Sequence, residues 1–559
     1  MKTMTAVGLI LAITTSVSYA AENESFILQV GEQNAAIAGQ VGGNNKQGTV
    51  QVGKRNRAAT AQSGASGSKT NESGTFQLGR DNASIVGQTG GNNRQGTLQV
   101  GRRNSALTLQ AGGSQLNESG IAQFGRENGA IVGQTGGNNR QGTLQVGREN
   151  AALTVQAGTA SKGNDSSTMQ FGAKNGSIAL QTGGNNDQRT LQVGEKNLAA
   201  TIQGGAGNGT NDSSTAQFGR QNASLAVQTG GGNDQGTLQV GRRNVAFTAQ
   251  NGVDGRTNDS STLQFGDRNL SIAGQTGGNN DQGTLQIGSR NVAVTGQDSN
   301  FRGGTNDSFT GQAGEGNAAV TLQKTSGANA SGGLFNYKAA YNGGSNDAVT
   351  IQAGKGNVAL TAQDASGGRA LGGYIGMNGV DNNAATLQFG KGNIAATAQQ
   401  GARPFVAAGA VSNDSLIAQI GSENGAFVGQ DGGLNAQATL QIGAKNLAVT
   451  AQKTSPLSVA ANNALTVQAG KGNGALTGQI ANPLGTGLNT SVVAQLGNNN
   501  WAVTSQELNL PGANANTSAT LQVGSGNLAL TSQSASAGLV NTAVTAQFGK
   551  GNVAFTAQR

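Results

Sequence analysis

The feature that most constrains this chain is an internal repeat, which occurs 21 times in 559 residues. Each copy reads N-x5-Q-x-G-x2-N-x-[A/S]-x3-Q, as in the copy that begins at Asn93 and ends at Gln110. The first copy spans residues 23–40 and the last spans 541–558, which leaves little room for a separate domain. Because one short repeat cannot bury a core by itself, the copies must stack on one another, as in a solenoid.

Each half of the repeat alternates between two kinds of residue. Gln99 lies between Leu98 and Val100, and the residues that flank the first Gln are apolar or Gly in every copy. A period of two with Thr, Val, Ile and Leu indicates β-strands. The G-x-x-N between the halves, such as Gly101 to Asn104, predicts a tight turn in which Gly takes a positive φ and Asn tolerates one. We therefore predict an all-β, cross-β, amyloid-like solenoid of stacked strand-turn-strand repeats.

Alternate residues of each strand form two sets, a polar parity that contains Gln and Asn and an apolar parity between them, and only one set can face the interior. The hydrophobic effect favours the apolar parity inside. The polar parity, however, is nearly invariant and includes a position that is always Ala or Ser, whereas the apolar parity varies freely. Since tight interiors restrict shape, we expect Asn and Gln to face inward, and the opposite arrangement stays open. Charge is expected mainly in turns and links, with Arg57 and Arg189 as exceptions, so the outer faces would favour lateral association.

The N-terminal residues 1–20 are predicted to be a signal peptide. Lys2 provides the positive region, residues 6–13 form a short apolar stretch, and residues 18–20 form a small-x-small cleavage site. The apolar stretch is too short for a membrane anchor, which is the alternative interpretation. Residues 21–559 would then form the secreted solenoid, without stable membrane insertion.

The residue composition argues against an enzyme. The chain has no His and no Cys, and only 11% of its residues are charged. The commonest general base, the commonest metal ligand and every thiol nucleophile are therefore missing. We predict no catalytic residue, no cofactor and no metal site. The net charge of +8 is scattered among acidic residues, so no nucleic-acid partner is expected.

Three longer insertions interrupt the later repeats, at residues 324–345, 364–381 and 400–412. They hold an unusual share of the few aromatic residues, which are Phe335, Tyr337, Tyr341, Tyr374 and Phe405. Loops often carry function, so these insertions are either a binding patch or tolerated loops.

The repeat resembles the curlin repeat of bacterial curli fibre subunits, whose pattern is S-x5-Q-x-G-x2-N-x-A-x3-Q. Five of the six fixed positions match in nearly every copy, and the leading Ser of the family is Asn here in all 21 copies. The resemblance implies a secreted subunit that polymerises at the bacterial cell surface into amyloid fibres for biofilm matrix and adhesion. It also implies a curli-type outer-membrane secretion pore and a nucleator as partners.

In the resembled family, inward Gln and Asn residues carry self-assembly. The invariance of these amides from copy to copy independently predicts that their rows govern assembly, because side-chain amides can bond to the layers above and below. The candidate assembly residues lie at both ends and at two inner positions: Gln29, Asn34, Gln40, Gln99, Asn104, Gln110, Gln286, Asn291, Gln297, Gln547, Asn552 and Gln558.

Two functions are therefore expected from the sequence. The first is a head-to-tail homopolymer, because the first repeat begins close to the predicted cleavage site and the last ends one residue before Arg559. The alternative is a monomeric β-solenoid binding module, such as an ice-binding protein. That alternative requires the apolar parity inside, so that rows of Thr, Asn and Gln form a flat outer face.

Overall fold

The computed structural model describes most of the repeat region. The described residues are 14–17, 22–64, 69–113, 115–159, 162–205, 209–253, 256–300, 304–331, 338–341, 343–366, 368–370, 375–377, 379–401, 411–455, 458–482, 486–509, 513–536 and 538–559. Within them, every regular element is a β-strand. The all-β prediction is confirmed. The described residues contain no helix of the length and apolarity needed to cross a bilayer.

The chain divides into two compact units, and each is a β-solenoid built from two parallel sheets. Unit 1 is Met1–Thr257 and unit 2 is Asn258–Arg559. The strands of unit 1 are β1 (Thr14–Val17), β2 (Asn23–Glu32), β3 (Ala35–Val41), β4 (Asn44–Lys54), β5 (Arg57–Gly64), β6 (Thr70–Arg80), β7 (Ala83–Gly90), β8 (Asn93–Arg102), β9 (Ser105–Gly112), β10 (Asn117–Arg126), β11 (Gly129–Gly136), β12 (Asn139–Arg148), β13 (Ala151–Ala157), β14 (Asn164–Ala173), β15 (Gly176–Thr182), β16 (Asn186–Glu195), β17 (Leu198–Gly205), β18 (Asn211–Arg220), β19 (Ala223–Gly230), β20 (Asn233–Arg242) and β21 (Val245–Gly252).

The strands of unit 2 continue the same pattern with two short hairpins added. They are β22 (Asn258–Asp267), β23 (Leu270–Gly277), β24 (Asn280–Ser289), β25 (Val292–Ser299), β26 (Asn306–Glu315), β27 (Ala318–Thr325), β28 (Ala328–Ser331), β29 (Lys338–Tyr341), β30 (Asn346–Lys355), β31 (Val358–Asp364), β32 (Gly368–Ala370), β33 (Ile375–Met377), β34 (Asp381–Lys391), β35 (Ile394–Gln400), β36 (Ser412–Ser422), β37 (Gly425–Asp431), β38 (Asn435–Ala444), β39 (Leu447–Thr454), β40 (Ala461–Lys471), β41 (Gly474–Ala481), β42 (Thr486–Asn498), β43 (Trp501–Leu508), β44 (Ala513–Ser525), β45 (Leu528–Ala535), β46 (Val540–Lys550) and β47 (Val553–Gln558).

Each repeat supplies one strand to each sheet and so forms one layer. In each unit, the first-strand sheet contains the strands that carry the first Gln, and the second-strand sheet contains those that carry the second Gln. Strands pair in parallel with equivalent residues aligned, so that Gln99 of β8 pairs with Gln123 of β10. In the second-strand sheet, Gln110 of β9 pairs with Gln134 of β11 in the same way. The repeat therefore sets the register of both sheets, because any slip would break the stacking of identical residues.

The turn within each repeat differs from the expected geometry in one respect. Gly101 takes φ 127°, as predicted, but the second positive φ belongs to Arg103 rather than to Asn104. The prediction that the turn Asn adopts a positive φ is therefore wrong. Asn104 instead lies directly before the second strand with its side chain buried. Its backbone N–H donates to Oδ1 of Asn82, and its Nδ2 donates to the carbonyl of Gly125. Several later copies use Gly at the left-handed position, for example Gly316 and Gly356.

The interior consists of the polar parity, as we expected. Gln99 and Asn104 are fully buried, and the Ala or Ser position, such as Ala106, is also buried. Apolar side chains of the other parity are exposed, including Leu78 and Leu109. Large aliphatic residues enter the interior at a few places only, as where Ile121 and Val132 form a small cluster with two alanines.

The predicted signal peptide and the three insertions are only partly covered by the described residues. Within the predicted signal peptide, Thr14–Val17 forms β1, which pairs in parallel with β3, and the rest of residues 1–20 lies outside the described part. The insertions at 324–345 and 364–381 contribute the antiparallel hairpins β28–β29 and β32–β33. Of the five aromatic residues in the insertions, Phe335, Tyr337, Tyr374 and Phe405 lie outside the described residues.

Candidate functional site

The first Gln of each repeat forms a continuous hydrogen-bonded row inside unit 1. Gln77 donates from Nε2 to Oε1 of Gln99 at 2.7 Å, and Gln99 donates likewise to Gln123 at 2.8 Å. Gln99 Nε2 also donates to the carbonyl of Ala83 in the second strand of the preceding layer, at 2.9 Å. One side chain therefore joins three strands, and both amide hydrogens are used.

The second Gln forms an equivalent row in the other sheet. Gln110 donates from Nε2 to Oε1 of Gln134 at 2.7 Å and to the carbonyl of Arg94 at 3.1 Å. In each Gln row of this unit, one N–H of every Gln therefore donates to the Gln of the next layer toward the C-terminus. Such a row has a direction, so its two ends are chemically different.

The Asn rows extend the same network. Asn117 donates from Nδ2 to Oδ1 of Asn93 at 3.2 Å, so the row of first Asn residues donates toward the N-terminal layers. In the row of second Asn residues, the backbone N–H of Asn128 donates to Oδ1 of Asn104 at 3.1 Å. Asn104 Nδ2 in turn donates to the carbonyl of Gly125 at 3.2 Å. Buried polar groups that are paired in this way avoid the desolvation cost of an unmade hydrogen bond.

The predicted assembly residues fall into four trios, each within one layer. In unit 1, Gln99, Asn104 and Gln110 share the layer of β8 and β9 and are buried. In unit 2, Gln286, Asn291 and Gln297 share the layer of β24 and β25 and are also buried. Gln286 accepts from Gln264 at 2.8 Å and donates to Gln312 at 2.8 Å, so the inner trio of unit 2 repeats the geometry of unit 1.

The remaining two trios lie in the first and last layers of the described repeats and are less buried. In the layer of β2 and β3, Gln29 and Asn34 are only half-buried, while Gln40 is buried. In the layer of β46 and β47, Asn552 and Gln558 are half-buried and Gln547 is 6% exposed. These trios therefore keep part of their hydrogen-bonding capacity at the surface.

The two end layers are unlike in the groups that they expose. Gln29 donates to Gln51 at 2.6 Å, and no described side chain donates to its Oε1. Gln558 accepts from Gln533 at 2.7 Å and donates to the carbonyl of Thr542, but no described Gln accepts from it. The first layer therefore offers a Gln acceptor, whereas the last layer offers a Gln donor.

A row of charged residues on the outside was missed by the sequence analysis, which expected charge mainly in turns and links. It occupies the position directly after the first Asn of the repeat, within the first strand, in every copy up to the one that carries Asp347. We call the first six members in unit 1 the alternating row: Glu24, Lys46, Glu72, Arg94, Glu118 and Arg140. Arg94 lies 3.0 Å from Glu72 and 3.9 Å from Glu118, so opposite charges bridge adjacent layers. The signal was the alternation of sign at one repeat position.

From Asp165 in unit 1 to Asp347 in unit 2, the same position carries like charges. We call Asp281, Asp307 and Asp347 the aspartate row, since they align in register on β24, β26 and β30. Partial desolvation, and then the carboxylates of Asp347 and Asp281, raise the pKa of Asp307 to about 6. Burial and the nearby carboxylate of Asp381 also raise the pKa of Asp347. The row therefore favours protonated carboxyls within the folded unit.

The outer faces are apolar over long stretches. In unit 1, exposed large residues include Phe76, Leu78 and Met169 on the first-strand sheet and Ile85 and Leu109 on the second-strand sheet. Contiguous exposed apolar surface of this kind is typical of interaction sites.

The described residues contain no group of His, Cys, Asp and Glu that could hold a metal ion. The contacts described above support hydrogen bonding at the end layers and apolar or ionic contact at the faces. No family model matches the chain, and no curated protein matches its sequence.

Proposed function

We propose that this chain is a secreted structural protein that polymerises head to tail into a fibre at the bacterial cell surface, as a curli-like functional amyloid. The observation that carries the proposal is the directional amide network. It runs through the layers of each unit and ends in layers that expose complementary groups. A fibre of this kind would serve as biofilm matrix and promote adhesion and surface colonisation.

The end layers supply the specificity of the proposed contact. The donor of Gln547 would meet the acceptor of Gln29 of the next copy, and the donor of Gln558 would meet the acceptor of Gln40. Each new bond would repeat one made between neighbouring layers, such as Gln522 to Gln547 at 2.7 Å. Head-to-head contact would bring Gln acceptors together with Gln acceptors, so the direction of the Gln rows favours head-to-tail growth, which gives an open filament.

Backbone groups support the same contact. Among the described strands, β46 pairs with β44 alone and β2 pairs with β4 alone, so each has one unpaired edge. Unpaired strand edges bind further strands. In the second-strand sheet, β1 covers the corresponding edge of β3. The predicted cleavage after Ala20 would remove β1 and uncover this edge, which couples export to assembly.

The curlin resemblance supports the proposal from the side of the sequence. The Gln, Gly and second Asn that match the curlin pattern are the residues that form the buried rows and the turn described above. On this basis the proposed partners are other copies of the chain, a curli-type outer-membrane pore and a nucleator.

The ice-binding alternative finds less support. It needs rows of Thr, Asn and Gln on a flat outer face, but Thr97, Gln99 and Asn104 are buried. The outer rows are instead mainly apolar or charged, so we propose no second function.

The experiment is an assembly assay on purified residues 21–559, with the full chain as the matched control. We expect unbranched fibres by electron microscopy, growth from added seeds, and slower growth of the full chain because β1 covers an edge. A chain that remains a folded monomer at high concentration for days would contradict the fibre proposal. Equal growth of both forms would contradict only the role of β1.

A further inference from the structure

The alternating row of unit 1 has a property that its own salt bridges do not require. From the first layer to the sixth, the charges run negative, positive, negative, positive, negative, positive, through Glu24, Lys46, Glu72, Arg94, Glu118 and Arg140. Reversing the order of the six layers inverts every sign. The row is therefore complementary to a reversed copy of itself over all six layers, and repulsive toward a copy in the same direction and the same register.

We propose that two copies of this chain pair side by side in antiparallel orientation through the first-strand sheet of unit 1. A two-fold axis parallel to the strands, between the third and fourth layers, would bring each row onto its own counterpart in the partner. Glu24 would then face Arg140, Lys46 would face Glu118, and Glu72 would face Arg94. Because such a contact is isologous, each pairing occurs twice, which gives six opposite-charge contacts.

The exposure of the row leaves it able to bind. The side chains of Glu24, Lys46, Arg94 and Arg140 are 61%, 49%, 55% and 70% exposed, even though each lies within 4.0 Å of an opposite charge in its own chain. The ammonium group of Lys46 and the guanidinium groups of Arg94 and Arg140 have further N–H donors for a second carboxylate. The intramolecular pairs and the proposed intermolecular pairs are thus compatible.

The surface beside the row is suited to a second sheet. Two residues after the charged position, the next outward-facing residue of the first strand is Gly in several consecutive layers. A Cβ added at Gly48, Gly74, Gly96 or Gly142 would meet nothing within 4 Å. None of these four has a positive φ, so the fold itself does not require glycine there. Glycine within a strand often marks the close approach of another chain. Beyond the glycines, the exposed Leu28 and Phe76 offer apolar contact to the partner.

The identity of the occupant follows from the charge order. An unrelated anionic or cationic partner would not match a row that is neutral overall and alternates at every layer. A second copy has the same layer spacing of about 4.8 Å, so the match extends over all six layers without a mismatch of period. The pairing rests on the solenoid of unit 1 and not on the proposed fibre, and it can occur between single chains or between filaments.

The test is a zero-length carbodiimide cross-link in the purified chain, read by mass spectrometry on a mixture of ¹⁴N and ¹⁵N chains. We expect an intermolecular amide between Lys46 and Glu118. Within one chain these two residues are three layers apart, with Glu72 and Arg94 between them. Intermolecular links from Lys46 to Glu24 or Glu72 in place of Glu118 would indicate parallel pairing and overturn the proposal, as would the absence of intermolecular links.

A matched variant separates pairing from folding. The sextuple variant E24K, K46E, E72K, R94E, E118K, R140E inverts the row but keeps its alternation, so each chain retains its internal salt bridges. We expect variant chains to cross-link to one another and wild-type chains to one another. Cross-links between variant and wild type should be about tenfold rarer, because like charges would face each other. Equal or preferred mixed cross-linking would contradict the antiparallel contact.

Salt provides an independent readout. Raising the ionic strength from about 0.1 M to about 1 M shortens the Debye length from about 10 Å to about 3 Å. The yield of the Lys46–Glu118 cross-link should fall, while the growth of fibres through the uncharged amide rows should not. An increase of this cross-link with salt would show that apolar contact alone drives the pairing and would overturn the charge-directed orientation.

Discussion

In unit 2, the inner Gln row and the outer aspartate row share the same strands, yet stacking has opposite consequences for them. Gln286, Gln312 and Gln352 align inside on β24, β26 and β30, and Asp281, Asp307 and Asp347 align outside on the same strands. An amide both donates and accepts, so identical neighbours bond at 2.8 Å. A carboxylate only accepts, so identical neighbours repel unless one is protonated.

The alternating row of unit 1 shows how the same outer position can be made favourable. There, opposite charges follow one another, and Arg140 lies 3.3 Å from Glu118. The comparison indicates that an in-register solenoid rewards identical residues only when the residue is self-complementary. Otherwise the sequence must alternate between layers.

The largest expected effect is on the inner row. Gln286→Glu would place a carboxylate opposite Oε1 of Gln312 and the carbonyl of Leu270, both of which now accept hydrogen bonds from it. We expect the free energy of unfolding to fall by about 3–5 kcal/mol, measured by denaturant titration under monomeric conditions. Gln286→Ala should cost less, about 1–3 kcal/mol.

The matched control for this pair is Ile287→Gln, an exposed position on the same strand. It should change stability by less than about 0.5 kcal/mol. If Gln286→Glu changed the free energy of unfolding as little as this control, the inner row would not stabilise the fold. That result would contradict the proposed difference between the inner and outer rows.

The next effect is a pH dependence from the aspartate row. In the folded chain Asp307 has a pKa of about 6, against a usual unfolded value of about 3.9. Between these values the folded state binds more protons than the unfolded state, so stability falls as pH rises from about 4 to about 6 and stays low above that. Asp307→Asn removes this loss.

We expect Asp307→Asn to stabilise unit 2 at pH 7 by on the order of 1 kcal/mol, since solvent screens part of the repulsion. At pH 4 the variant and the wild type should be nearly equal. The measurement is thermal unfolding across this pH range. A variant less stable than the wild type at pH 7 would show that the carboxylate contributes a favourable contact.

The sequence predicted the inner rows better than the turn or the outer rows. The repeat predicted the strands, their stacking and the inward amides, because invariance at Gln99, Asn104 and Ala106 reflects a tight interior. The turn was predicted only in part. The positive φ of Gly101 was expected, but the second one was assigned to Asn104, whereas Arg103 adopts it and Asn104 makes buried hydrogen bonds. The outer rows were missed because each charged residue looked like part of a link until the register aligned them.

The smallest expected effect concerns the alternating row. Glu72→Lys would place a third positive charge between Lys46 and Arg94 and remove the 3.0 Å pair with Arg94. Because these groups are exposed, we expect a loss of about 1 kcal/mol at low salt that shrinks as salt is added. Unfolding at several salt concentrations measures it, and the sextuple variant E24K, K46E, E72K, R94E, E118K, R140E is the control that contains E72K but keeps the alternation of the row.

The central claim is that identical layers continue from one chain into the next, and electron cryo-microscopy of fibres of residues 21–559 tests it most directly. We expect a junction in which β46 of one chain pairs in parallel with β2 of the next. Gln547 would stack on Gln29 at about 4.8 Å, as between any two layers of a unit. Fibres whose chains meet through their faces alone, with end layers that remain unpaired, would contradict it.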